Sequence, residues 1–352
     1  MRKGKLYKMN RDLKHKIWHD KRAQKIAKNK KKAKSTHRTI SSEMVLRGTA
    51  NPEHRIMRPA CTKKVPENFS ILNNPEETID FFDDLANEIK NRKISTEIFI
   101  DSENVKDVTV DAIIYLISVM ENIRPMSFGV RHTIRGNLPK DDVIRKVYTE
   151  SGFMSYVESR QGKLPNNTEK MQIVSGYNND SKVVASVCEF VMDKLDKKKN
   201  EVQGLYKVLI ELLSNVYHHA YNKKSNMLKK WYIYAEHIDE CVRFVVTDTG
   251  EGIPNTVSKR MYEHVTRFLK IDASDSDLIC SALEGEFRSE TKKPYRSNGL
   301  AGVKENVENG LFYNFTVMSS KGRCTINNID KTIEKTNYKN RIEGTIFTFD
   351  IK

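Results

Sequence analysis

Positive charge in this chain is confined to one end, and that confinement decides which residues are able to build a core. Residues 1–40 hold 16 Lys and Arg against Asp12 and Asp20, so they carry +14 of the net +15, and the remaining 312 residues are close to neutral. Cations at that density repel one another and present no apolar face. Residues 1–66 are therefore expected to form a basic, largely extended arm, with at most a short helix around Leu13–Ile26. The rest of the 352 residues is long enough for two compact domains. Cys61, Cys188, Cys241, Cys280 and Cys324 are scattered without a Cys-x-x-Cys or His/Cys cluster, so neither a zinc site nor a disulfide framework is expected. No apolar run reaches the roughly 20 residues of a membrane helix, and the N-terminus has no signal-peptide core. The expectation is a cytoplasmic protein that does not engage a membrane.

Residues 67–165 alternate between the two periodicities of regular structure. NPEETIDFFDDLANEIKNR and VTVDAIIYLISVMENIR carry helical spacing, STEIFIDS and GVRHTIRGNLP read as strands, and KDDVIRKVYTESGFMSYV reads as a helix ending at Gly152. Strand, helix, strand, helix implies a small α/β domain with parallel pairing.

Residues 170–352 carry the chemistry. Strand-like MQIVSGY and helical SKVVASVCEFVMDKLDKKK precede LYKVLIELLSNVYHHA at 205–220. At about 100° per residue, Glu211, Asn215 and His219 share one face while Leu209, Leu212, Leu213 and Val216 face a core. Strands WYIYAEHI and VRFVVTDT lead to the loop DTGEGIP, and RSNGLAGVK at 296–304 supplies a second glycine turn before the helical AGVKENVEN. LFYNFTVMSS and GTIFTFDI close the sheet. The insert 255–298 contains a helical stretch and then a polar run.

The order of polar helix, acidic Gly-x-Gly loop, second glycine loop and terminal Gly-Thr strand resembles the GHKL ATPase superfamily, closest in pattern to anti-sigma-factor serine kinases. The resemblance implies a C-terminal Bergerat-type α/β sandwich that binds ATP and Mg²⁺, with the insert 255–298 as a mobile lid over the nucleotide. In it Glu211 is the general base and Asn215 the metal ligand; Mg²⁺ is a hard cation that keeps most of its waters, so one carboxamide oxygen beside phosphate oxygens suffices. Asp248 accepts from the adenine amino group, Gly250 and Gly252 let the backbone approach the base, and Ile253 and Thr345 lie beside it. Gly299, Leu300 and Gly302 hold the phosphates at a helix N-terminus, with His219 in support nearby. Gly302 stands where the pattern usually has an apolar residue. Residues 67–165 resemble a STAS-like domain, with Asp111 near the position of its phosphorylatable Ser and Thr109 close by.

The chain lacks a phosphoacceptor helical hairpin before this region, which argues against a sensor histidine kinase. The expected function is a regulatory Mg²⁺-dependent ATPase or serine/threonine protein kinase with a STAS-like docking module. The alternative is a non-catalytic scaffold switched by nucleotide, reaching nucleic acid or an acidic partner through residues 1–40. A protein partner through the STAS-like domain and homodimerisation complete the expectations.

Overall fold

Strands rich in β-branched and aromatic residues and amphipathic helices alternate along the chain, and each element needs a partner for its apolar face. The computed structural model describes residues 60–127, 130–157, 168–218, 228–256, 262, 266, 272–285 and 300–352. The basic segment 1–40 lies outside the described residues. In chain order the strands are β1 (Ala60–Lys64), β2 (Asn68–Phe69), β3 (Glu97–Asp101), β4 (Asp107–Val108), β5 (Thr133–Gly136), β6 (Lys170–Gly176), β7 (Trp231–Ile238), β8 (Cys241–Asp248), β9 (Tyr313–Ile326) and β10 (Ile333–Ile351). The longer helices are α1 (Pro75–Asn91), α2 (Val110–Glu121), α3 (Asp142–Glu150), α4 (Ser181–Leu195), α5 (Gln203–His218), α6 (Asp275–Leu283) and α7 (Leu300–Glu308). The fold is mixed α/β, with both parallel and antiparallel sheets.

Strands β1, β3 and β5 form a parallel three-stranded sheet in that order. Its first strand, Ala60–Lys64, falls within the range that the sequence assigns to the extended arm. Thr62 and Lys64 alternate with Cys61 and Lys63 and give no apolar run, so pairing with β3 organises this strand rather than its own composition. Asp111 is 1 % exposed, in the first turn of α2, and its Oδ2 accepts from the amides of Ile71 and Leu72 at 2.7 and 3.1 Å. Burial pushes that carboxyl up, while these hydrogen bonds favour its charged form. Its geometry is that of a residue pinning a loop.

Strands β6 to β10 form a five-stranded antiparallel sheet, ordered β6-β7-β8-β10-β9. Alternation divides its side chains between two faces. One face, with Trp231, Ile233, Phe244, Val246, Val317, Phe347 and Phe349, shares a core with Val187 and Val191 of α4, Leu209, Leu212, Leu213 and Val216 of α5, Ile279 and Leu283 of α6, and Val303 and Val307 of α7. Helix α6 lies inside the stretch that the sequence reads as a polar lid. Its Leu278, Ile279 and Leu283 are buried, hidden in sequence among Ser and Asp residues, two of which form a capping box at Ser274 and Asp277.

The other face carries Tyr232, Tyr234, Val245 and Ile346, all buried. Helix α2 packs against β7 and β8, and α1 against β10. The described parts of the two regions that read as separate domains in sequence, up to Tyr156 and from Thr168 on, thus lie in one compact unit. A buried ion pair crosses the junction: Lys230 Nζ lies 2.6 Å from Glu121 Oε2, and the Tyr232 hydroxyl donates to the same oxygen at 2.5 Å. The ammonium is also 5.1 to 5.6 Å from the ring centroids of Tyr156, Tyr177 and Tyr232. Removing one partner of such a pair strands the other charge. Glu121→Leu is expected to lower unfolding free energy by about 3–5 kcal/mol in urea titrations, and adding Lys230→Met should recover most of that loss.

Candidate functional site

Register aligns one row of residues across the end of the antiparallel sheet. Gly176 pairs with Trp231, Trp231 with Asp248, Asp248 with Thr345, and Thr345 with Ser319. Directly opposed residues project to the same face, here the face covered by α5. Asp248 and Thr345, assigned to the base-binding end from sequence, are therefore neighbours.

Asp248 is 5 % exposed, and among the described residues its donor is the Gly250 amide, 2.6 Å from Oδ1. Burial pushes its carboxyl up to about 7, against the lowering effect of that amide. An ionised carboxylate offers about four acceptor sites, so among the described residues the Gly250 amide uses a small part of the capacity of Asp248. A buried carboxylate with one donor is a group awaiting a donor.

Ser319 joins the parts of this end together. Its Oγ accepts from the Ile253 amide at 2.8 Å, donates to the Gly344 carbonyl at 2.8 Å, and lies 3.1 Å from Thr345 Oγ1. Two glycines make that approach possible. Gly252 and Gly344 have φ of +78° and +81°, and a Cβ on Gly344 would sit 2.1 Å from the Asp248 carbonyl oxygen. Asp248, Gly250, Gly252, Ile253 and Thr345 thus converge on one corner, although they come from two distant stretches of sequence.

Helix α5 covers the same face of the sheet. Its apolar residues anchor it, and its rotation places Glu211 and Asn215, both half-buried, on the flank of that anchored face. Gly204 lies on the same stripe, two turns before Glu211. A Cβ at Gly204 would meet Asn306 Oδ1 at 2.6 Å and Leu311 Cδ2 at 2.4 Å. Asn306, in α7, donates through Nδ2 to the Gly302 carbonyl at 2.6 Å. At Gly204, α5 therefore meets α7, and Gly302 sits within the first turn of α7. Leu300 opens the helix and packs against the core. His219 and Gly299 lie outside the described residues.

Sequence motifs did not single out Ser319, Thr249, Glu343 or the residues of α2 that touch them. Ser319 lies in an ordinary strand, and the alternation with Phe315 and Val317 was the one sign of its inward direction. Among the described residues, no three His, Cys, Asp or Glu side chains form a metal-binding group. A groove of about 740 Å³ opens on the opposite face of the sheet, lined in part by Asp111, Arg243, Arg323 and Asp350. Its cations are engaged: Arg243 Nε lies 2.9 Å from Asp350 Oδ1, and Arg323 donates to the Leu72 carbonyl at 2.9 Å. The Asp248 carboxylate, by contrast, accepts from a single amide among the described residues. No family model and no curated protein matches this chain.

The raised pKa of Asp248 makes stability depend on pH in a definite direction. The folded state favours the protonated acid, so its contribution is full below the ordinary carboxylate value of 3.8 and is lost as pH rises through about 7. Asp248→Asn is expected to raise the melting temperature of the ligand-free protein by several degrees at pH 8, with little change at pH 4. Thermal unfolding of both proteins across that range measures it.

Proposed function

We propose that this chain is an ATP-binding regulatory protein of the GHKL type, acting as a Mg²⁺-dependent ATPase or serine/threonine protein kinase. The observation that carries the reading is the buried Asp248 carboxylate, placed beside Thr345 and Ser319 on the α5 side of the sheet with the Gly250 amide as its donor. An exocyclic adenine amine is a donor of the right kind. Such a donor favours the ionised carboxylate, so affinity for an adenine nucleotide should increase as pH rises through about 7.

The remaining residues divide the other tasks. The positive φ of Gly252 lets the loop turn beneath the base without a side chain in the way. Amides in the first turn of α7, at Leu300 to Gly302, would meet anionic phosphates, which the dipole of this nine-residue helix favours. Asn215 offers a carboxamide oxygen to a hydrated Mg²⁺, a role that needs no cage of carboxylates. Glu211, one turn before it, orients and deprotonates the attacking hydroxyl or water; such a positioned base accounts for about 10²–10⁴-fold in rate. Bound Mg²⁺ neutralises charge on the transferring phosphoryl group.

Incubation of the full chain with labelled ATP and Mg²⁺, following both free phosphate and label on protein, tests the reaction. Glu211→Ala should keep nucleotide affinity while turnover falls by two or more decades. Equal turnover in variant and wild type would leave the nucleotide-switched scaffold as the better reading. Asp248→Asn should lose binding.

The STAS-like region is proposed as a docking or sensing module, and the basic segment as a contact for nucleic acid. Sixteen cations in residues 1–40 can neutralise phosphates without reading sequence. Deleting residues 1–40 should weaken binding to a random-sequence oligonucleotide and flatten its dependence on salt, as measured by titration at several ionic strengths. Among the described residues no helix is long and apolar enough to cross a membrane.

A further inference from the structure

Helix α2 reaches both loops that flank the corner at Asp248. Asn122, at its C-terminal end, is fully buried, and its Nδ2 donates to Thr249 Oγ1 at 2.7 Å while its Oδ1 accepts from the Leu228 amide at 2.8 Å. Thr249 directly follows Asp248. Two turns earlier on the same helix, the Tyr115 hydroxyl accepts from the Glu343 amide at 2.7 Å and donates to the Glu343 carbonyl at 3.0 Å. Glu343 directly precedes Gly344 and Thr345.

The second contact falls on an irregularity in the sheet. Pairing of β10 with β9 shifts between Ile342 and Thr345, so Glu343 and Gly344 drop out of the ladder. Tyr115 takes up the backbone groups of Glu343, and Ser319 takes up the Gly344 carbonyl. A bulge whose own polar groups are held by a helix from another region has its position set by that helix. Space left at the junction, about 10 Å³ lined by residues including Phe82, Tyr115, Val119, Thr249 and Glu343, is no more than a single water would fill.

We infer that Tyr115 and Asn122 are positioning residues for the nucleotide site, so that the seating of α2 on the sheet sets the affinity of that site. The role presupposes the adenine-nucleotide reading proposed above. Thr249 and Glu343 bracket Asp248 and Thr345, the paired residues on adjacent strands. Holding both from one rigid helix fixes the loop and the bulge together. Movement of α2 away from the sheet releases both, and the corner loses its spacing.

The test uses the full chain, a fluorescent ATP analogue with Mg²⁺, and the variants Tyr115→Phe and Asn122→Ala. Tyr115→Phe keeps the ring, which packs edge-on against Phe82 at 4.7 Å, and removes only the hydroxyl, so it decides the matter if Asn122→Ala fails to fold. Phe69→Leu, in the aromatic cluster with Phe81 and Phe82, serves as a control that loosens the same region without touching either loop. The expected result is about tenfold weaker binding for Tyr115→Phe and Asn122→Ala, and unchanged binding for Phe69→Leu despite a lower melting temperature. Amide hydrogen exchange of the ligand-free variants should quicken at 248–253 and 343–346. Unchanged affinity in the two α2 variants, or affinity that simply follows melting temperature across all three, overturns the inference. If the wild type binds no adenine nucleotide, the functional reading fails and the positioning role falls with it. Hydrogen exchange then reports separately whether α2 holds the two loops.

Discussion

A sheet buried on both faces cannot stand alone, and the five-stranded antiparallel sheet here is such a sheet. Trp231, Ile233, Phe244 and Val246 need α4 and α5 on one side, while Tyr232, Tyr234, Val245 and Ile346 need a cover on the other. Helices α1 and α2 provide that cover. Everything at the candidate site depends on this layering. The α5 side holds the polar flank of Glu211 and Asn215, the opposite side carries the helix that reaches around to Thr249 and Glu343, and Asp248 lies at the strand end between them.

Buried polarity at the junction is matched atom by atom. Lys230 is neutralised by Glu121 and surrounded by aromatic faces, and Asn122 uses both ends of its carboxamide. Buried groups of this kind specify one arrangement, because a shifted helix would leave a charge and several amides without partners in a low-dielectric setting. Asp248 is the exception to this matching. It is 5 % exposed, and among the described residues one donor, the Gly250 amide, reaches its carboxylate, which is why it stands out as a candidate site.

Much of this architecture was legible in the sequence because periodicity survives in one dimension. The helix over 205–218, the strand ending at Asp248 and the parallel α/β pattern follow from spacing of 3.6 and 2. The Asp248 loop and the Thr345 strand were legible as motifs, whereas their adjacency required the register of β8 against β10. Other features left no linear trace. Ser319 has no motif, α6 hides Leu278, Ile279 and Leu283 among Ser and Asp, and β9 and β10 extend into a hairpin whose residues 320–342 are rich in Lys and Asn. Tyr115 and Asn122 read simply as part of an amphipathic helix. Their partners lie 228 and 127 residues away, and no local rule points across such a gap.

The spacing of Tyr115 and Asn122 has a mechanical consequence. Seven residues make nearly two whole turns, about 10.5 Å along the axis, so the two side chains act like a pair of pins on one shaft. A slide of α2 by one turn, or a rotation by one residue, disengages both pins together. A junction built this way ties the loop and the bulge to one body, so a rigid displacement of the helix is felt at both.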